Sequence, residues 1–308
     1  MVRALAAGGG NRYDAGRMQT RSLGRTDLVL SEIALGTWGL AEQSYGPVPP
    51  ERLDAVVRAA LDAGVTTFDV APLWGNGEAE RSVGRCLAGA KLEEPVVITR
   101  GGVERVEGKL RQSFTSDDLV RGCEASLERL GRETIELFLL HNPGVDVLRS
   151  ESWREAVEGL EQEGKIRAWG ASVGSVDEAR VAIAAGARAV CITHHMIAPQ
   201  ALEDLTSDIA RAGCGILARS PLSHGLLAGQ WSSSRLFGAG DHRARRWSAT
   251  TFTERVHEMN KLRQAVGSEH RDLPTAALAF VLKHPAVTSA LVGARTPAQI
   301  LAAAEVVS

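Results

Sequence analysis

The residues whose types could do chemistry stand where short β-branched or apolar runs end. Residues 65–70 carry Asp69 to the end of such a run, and a Pro/Gly-rich turn then presents Trp74 ahead of a helix beginning at Glu78. Other runs close on Arg100 (96–100), His141 (135–141), Ser172 (166–172), the pair His194-His195, and Arg219 with Ser220 (215–220), while Trp38 follows 33–37. A carboxylate and an imidazole can exchange protons with a substrate. Two guanidinium groups can hold a carboxylate or phosphate in bidentate fashion. A cationic, aromatic site with one acid favours an anionic substrate or a developing negative charge. Each residue also has a plainer role: Asp69 as a turn cap, Trp74 as a packing aromatic, His141 as a structural hydrogen-bonder before the Asn142-Pro143 turn, and Arg100 as the partner of Asp69. His194 and His195 are neighbours on one strand and point to opposite faces. No Cys, Asp or Glu at metal spacing completes a zinc set with them, so no metal is expected.

The elements that position these residues repeat one pattern: a short apolar run, a turn, and a helix of ten to fifteen residues with apolar positions at i, i+3 and i+4. The spacing predicts eight strands, at 33–37, 65–70, 96–100, 135–141, 166–172, 189–194, 215–220 and 287–293. Helices are expected over 50–63, 78–88, 116–130, 152–163, 176–185, 201–212, 253–267, 275–283 and 297–306. Capping boxes are expected at Ser152 with Glu155, Ser175 with Glu178, and Thr296 with Gln299. Eight strands alternating with helices demand parallel pairing and right-handed crossovers, and closing them makes a (β/α)8 TIM barrel whose strand C-termini share one mouth. A doubly wound open sheet is the other arrangement weighed, but no strand is followed by GxGxxG. The stretch 20–31 reads as an N-terminal β-hairpin cap around Gly24–Asp27, and residues 221–251 as a long lid or ligand loop.

A chain of 308 residues with 44% hydrophobic and 23% charged residues suits one barrel domain over 20–308 behind a flexible leader at 1–19, with Met18 as an alternative start. The net charge of −2 gives no reason to expect nucleic acid or an anionic membrane as partner. Four cysteines without CxxC spacing point to a reducing cytoplasmic compartment. No apolar run approaches a membrane span. The expected partner is a small-molecule substrate.

From about Arg21 to Val306 the chain resembles the aldo-keto reductase superfamily. The matching stretches are LGTWGL (35–40), RAALDAGVTTFDVAPLWGNGEAE (58–80), LFLLHNP (137–143), GKIRAWGAS (164–172), SPLSHGLLAG (220–229) and VTSALVGARTPAQI (287–300). The resemblance implies a (β/α)8 barrel that binds NADP(H) across its mouth and reduces carbonyls with an Asp, Tyr, Lys and His tetrad. Carried over by position, the Asp falls on Asp69 and the His on His141, while the Tyr falls on Trp74 and the Lys on Arg100. An indole N–H is no proton source near neutrality, and Arg keeps its charge at every ordinary pH. The nicotinamide-holding positions read Ser172, Val173 and Cys191, and the stacking aromatic falls on Arg219. For the phosphates and adenosine, the resemblance assigns Ser220, Leu222, Gly229, Arg295 and Gln299; the next two family positions are Ala302 and Ala303.

Three functions follow as expectations. The first in rank is a repurposed enzyme without net redox (dehydratase, isomerase, lyase or cyclase type), acting on a small polar or anionic metabolite. Asp69 and His141 would be its acid and base, Arg100 and Arg219 its clamp, and Trp74 the stabiliser of a cation over its face. The second is an NADPH-dependent carbonyl reductase with His141 or Tyr45 as proton donor; of the two tyrosines, Tyr13 lies in the leader. The third is a non-catalytic nucleotide-binding protein.

Overall fold

The computed structural model describes residues 18–90, 92, 94–266 and 270–307. Of the expected leader, residues 1–17 lie outside the described residues. Met18 is buried, and the Gln19 carbonyl accepts from the Glu32 amide at 2.9 Å.

The described strands are β1 (Thr20–Ser22), β2 (Val29–Ser31), β3 (Ile33–Gly36), β4 (Thr67–Asp69), β5 (Val96–Gly101), β6 (Val103–Val106), β7 (Lys109–Gln112), β8 (Ile135–His141), β9 (Ile166–Ser172), β10 (Ala189–Thr193), β11 (Gly215–Arg219) and β12 (Val287–Gly293). The eight strands expected from the sequence, β3, β4, β5, β8, β9, β10, β11 and β12, pair in that order, all parallel, and β12 returns to β3 to close the barrel. β1 and β2 form an antiparallel hairpin. Its Leu23, Leu28 and Leu30 join Ala34, Ile98, Leu137, Leu139, Cys191 and Leu217 in one buried cluster, so the hairpin plugs one end of the barrel.

Strand parity decides what points inward. Alternate residues of a strand face opposite sides; Val96 and Ile98, Leu137 and Leu139, and Leu217 belong to the interior cluster, whereas Val97, Phe138 and Ile216 pack against the helices. Two residues further on, the same parity brings Arg100, His141 and Arg219 to the inner face at the strands' C-terminal ends. The outer cluster joins those outward residues to the helices and includes Trp153, Phe68 and Leu130.

Several elements depart from the sequence expectation. A second hairpin, β6–β7, follows β5 where none was expected. The helix expected over 201–212 is two pieces, Gln200–Glu203 and Thr206–Ala212. Ser248 accepts from the Thr251 amide at 3.1 Å and so starts a helix, Ala249–Ala265, ahead of the expected position 253. The capping box at Ser175 and Glu178 is present. Those at Ser152 and Thr296 are not: Ser152 bonds Ser150 while Trp153 is the N-cap residue, and Gln299 Oε1 accepts from the Arg295 amide at 2.7 Å rather than from Thr296. In both cases a neighbour one or two residues away offered a competing hydrogen bond. Among the described residues no helix is long and apolar enough to cross a membrane, and the four cysteines are buried and unpaired.

Helices Glu78–Ala88 and Ser116–Leu130 cross with no room to spare at Gly84, where a Cβ would stand 2.3 Å from the Leu130 carbonyl oxygen. Gly84→Ala is therefore expected to lower unfolding free energy by about 1–3 kcal/mol, the usual cost of overpacking; an unchanged urea midpoint would refute this close approach.

Candidate active site at the barrel mouth

Asp69 ends β4 and Arg100 lies near the end of β5, and parity turns both side chains into the barrel beside each other. Arg100 Nη1 donates to Asp69 Oδ1 at 2.5 Å and to the Val70 carbonyl at 2.8 Å, and Nη2 lies 3.7 Å from Cys191 Sγ. Both partners of this ion pair are buried, each about 3% exposed. Burial pushes the Asp69 carboxyl up while Arg100 pulls it down. Trp74, held by the turn after β4, lays its ring 4.7 Å from the Arg100 guanidinium carbon. Trp74 and Arg100, on which the resemblance puts a Tyr and a Lys, thus form a cation–π pair whose cation is neutralised by Asp69.

His141 ends β8 and pairs in register with Ser172 of β9. Its Nδ1 is buried without a partner. Burial first, then the Arg100 and Arg219 cations, lower its pKa to about 3, so the ring is neutral at any ordinary pH. Asn142 follows in a left-handed conformation, φ 49°, which Asn tolerates better than most residues. Its amide donates to the Ser172 carbonyl at 2.8 Å. Its side-chain oxygen accepts from Ser172 Oγ and from Arg219 Nη1, each at 3.4 Å.

Arg219 ends β11 and reaches across β10 and β9. Nε donates to Thr193 Oγ1 at 3.2 Å, Nη1 to Ser172 Oγ at 3.4 Å, and Nη2 to the Val173 carbonyl at 2.7 Å. Among the described residues its hydrogen-bond acceptors are all uncharged. Arg219 therefore presents a held but unneutralised positive charge at the mouth, which Arg100 does not. Of the two residues that hold it there, Asn142 stood out in the sequence only as part of the Asn142-Pro143 turn, and Thr193 lies in no motif.

The remaining candidates lie away from these residues, where the loop after β3 meets the loop after β11. The turn after β11 has three successive left-handed residues, Ser223, His224 and Gly225, after Ser220, which is left-handed too. Leu222 O accepts from the Gly225 and Leu227 amides at 3.0 and 3.1 Å, and Gly229, φ 76°, closes the turn. Trp38 sits edge-on to Tyr45, His224 and His242, with ring centroids 5.4, 5.9 and 4.7 Å away. The Arg243 guanidinium lies 4.3 Å from the Tyr45 ring centre. Arg295 Nη1 and Nη2 donate to the Tyr45 and Gly46 carbonyls at 3.3 and 3.4 Å. Tyr45 is thus drawn into this clasp, and Asp69, Arg100 and His141 are not among its ring or charge partners. Burial pushes its phenol up to about 12, which makes it a poor acid. His224, His242 and Arg243 escaped sequence reading because the loop that carries them has no periodicity.

Against known proteins, the chain matches the profile of the Aldo/keto reductase family over residues 32–308. It is 27% identical to the aldo-keto reductase YhdN of Bacillus subtilis, with 94% of this chain and 88% of the relative covered. It is 29% identical to an NADH-specific methylglyoxal reductase of Escherichia coli, with 92% and 91% covered. The solved structure of a glycerol dehydrogenase from Gluconobacter oxydans superposes with a TM-score of 0.82 at 26% identity, covering 94% of this chain and 90% of that one.

Two outcomes test this geometry. Arg100→Met strands the buried Asp69 charge and is expected to cost about 3–5 kcal/mol, while adding Asp69→Asn recovers much of it; equal stability of the single and double variants would contradict the pairing. His141 binds no proton in the folded state until about pH 3, whereas the unfolded chain takes one up near ~6.5. Stability should therefore be fully present above that pH and fall as pH drops from ~6.5 towards 3. His141→Gln should flatten this part of the melting-temperature profile, and an identical profile would contradict it.

Proposed function

Starting from the aldo/keto reductase family, to which this chain belongs, we propose that it is an enzyme acting without net redox on a small anionic metabolite. The observation that carries the reading is Arg219, a guanidinium fixed by neutral oxygens from three strand ends with its charge unspent. A carboxylate or phosphate of the substrate completes it.

The clamp is narrower than the residue types suggested. Arg100 is committed to Asp69, so Arg219 alone anchors the anion, and the Asp69 carboxylate, tied and buried, is no free base. Trp74 covers the Arg100 guanidinium and acts as a wall. The proton-moving group is the neutral His141 imidazole. Beside an anchored carboxylate it removes a proton from the adjacent carbon, Arg219 spreads the charge that develops on oxygen, and the imidazolium returns the proton to a departing hydroxyl or to another carbon. That is the chemistry of a dehydratase or isomerase. Binding of the anion also sets the base: Arg219 is one of the cations that depress His141, and neutralising it raises the imidazole's affinity for a proton.

NAD(P)H fits this chain at one end. The left-handed residues of the turn from Ser220 to Gly225 have the backbone form of phosphate-cradling loops, although the Ser223 and Gly225 amides are bonded within the turn, and Arg295 has a buried Nε without an acceptor among the described residues. At the other end, Arg219 lies on Ser172 Oγ and the Val173 carbonyl, where the resemblance puts the nicotinamide carboxamide. That end does not fit.

A second reading, an NAD(P)H-dependent reductase of small carbonyl compounds, is favoured by the Arg295 end and by the named activities of the relatives, among them a methylglyoxal reductase. In that reading Arg219 swings off Ser172, and water supplies the proton, since His141 and Tyr45 are both poor acids.

A titration of NADPH followed by tryptophan emission, then by loss of the cofactor's absorbance with a panel of small aldehydes and ketoacids, separates the two. The proposed function expects no consumption; steady consumption would overturn it in favour of the reductase. With the native substrate, Arg219→Ala should raise KM at least about tenfold by removing the charge-assisted contact. The value of kcat/KM should stay level from pH 8 to pH 5, because burial and the two arginines lower the free enzyme's His141 to about 3; a fall centred near ~6.5 would overturn this depression of the His141 base.

A further inference from the structure

Tyr45 has an unusual seat for a loop residue. Two guanidinium groups lie over its ring, the Arg243 carbon 4.3 Å and the Arg295 carbon 5.6 Å from its centre. Trp38 and His242 meet it at 5.4 and 5.1 Å. Gly39 lies beneath it, where a Cβ would stand 3.3 Å from the ring. The backbone of Tyr45 bridges Asp241 of the opposing loop.

The charges around this ring are out of balance. Asp241 neutralises Arg243 through bonds of 2.6 and 2.9 Å. Arg295 has two long bonds to carbonyls and a buried Nε with no acceptor. Arg246, exposed nearby, makes no side-chain hydrogen bond or ion pair among the described residues. The seat is therefore built for a flat aromatic group that brings negative charge with it. Tyr45 supplies the ring and stays neutral. The chain can also release it: Gly46 follows with φ 92° and open space where a Cβ would be, and Pro47, Val48 and Pro49 lead away to the next helix.

We propose that Tyr45 is a resident plug in a nucleoside-phosphate site, its ring standing in for the base between Arg243 and Arg295, and that such a ligand binds by displacing it. The proposal rests on the nucleotide-retaining part of the second reading and extends it: affinity is set by competition with the chain's own side chain. When the competent state is a fraction of the population, apparent affinity falls by that fraction. Removing the plug should therefore tighten binding, the opposite of what loss of a ligand contact would do.

The test is calorimetric titration of the full chain with adenosine 2′,5′-bisphosphate and with NADPH, comparing wild type, Tyr45→Ala and Tyr45→Phe. Tyr45→Ala is expected to bind both about tenfold tighter, and Tyr45→Phe, which keeps the ring, to bind like wild type. Equal or weaker binding by Tyr45→Ala overturns the plug and leaves the nucleotide site standing. Absence of binding in all three overturns both. Tighter binding without consumption of NADPH supports the plug and counts against the reductase reading alone. Should Tyr45→Ala fail to fold, hydrogen exchange of wild type gives the same decision: nucleotide should speed exchange of the backbone amides over 44–48, and slower exchange there would overturn the displacement.

Discussion

The arrangement of the barrel mouth depends on one buried ion pair, Arg100 with Asp69, roofed by the Trp74 ring. A charge so deeply buried is tolerable only when its partner is in place, and losing either one leaves the other stranded at a cost of several kcal/mol. The pair joins the ends of β4 and β5, and its second donor, to the Val70 carbonyl, ties the guanidinium to the turn that carries Trp74. An Arg cannot give up its proton and an indole cannot usefully supply one. The same three contacts that stabilise the mouth therefore involve two side chains, Arg100 and Trp74, that cannot relay a proton near neutrality.

With Arg100 spent, the electrostatics of the site rest on Arg219 and His141. Arg219 is positioned by Thr193, Ser172, Asn142 and the Val173 carbonyl, so it cannot turn away to a carboxylate elsewhere without losing bonds from three strand ends. Its field, added to that of Arg100 and to burial, keeps His141 neutral. A neutral imidazole thus stands near a cation that no carboxylate among the described residues neutralises. Across the mouth, the clasp of Trp38, Tyr45, His242, Arg243 and Arg295 gathers more positive charge than it neutralises. Both halves of the surface thus carry positive charge that is not neutralised among the described residues, on a chain whose net charge is slightly negative.

Much of this was legible before any coordinates. The eight barrel strands lie within a few residues of where β-branched runs and turn residues placed them, because a strand buried on both faces needs an apolar run and little else reads that way. Asp69, Arg100, His141, Ser172 and Arg219 stood out as polar residues ending such runs. Where the reading slipped, competition was the cause: Ser152 and Thr296 had the cap pattern, yet a neighbouring group took the hydrogen bond. The β6–β7 hairpin was missed because its run of alternating charges, Glu104 to Arg111, looks like solvated loop until the two strands pair.

The sequence by itself determined the barrel, the hairpin that plugs it and the identity of the groups at its mouth, because periodicity and strand parity are local and survive without knowledge of neighbours. Only the tertiary structure decided what each group is worth. Whether Arg100 is a clamp or a spent partner, whether Arg219 is free, and whether Tyr45 is an acid or a plug between two arginines all turn on which charges lie within a few ångströms across the fold. Residues 31 and 250 positions apart in sequence set those distances, and electrostatic energy depends on separation in space and on burial, neither of which a linear pattern carries.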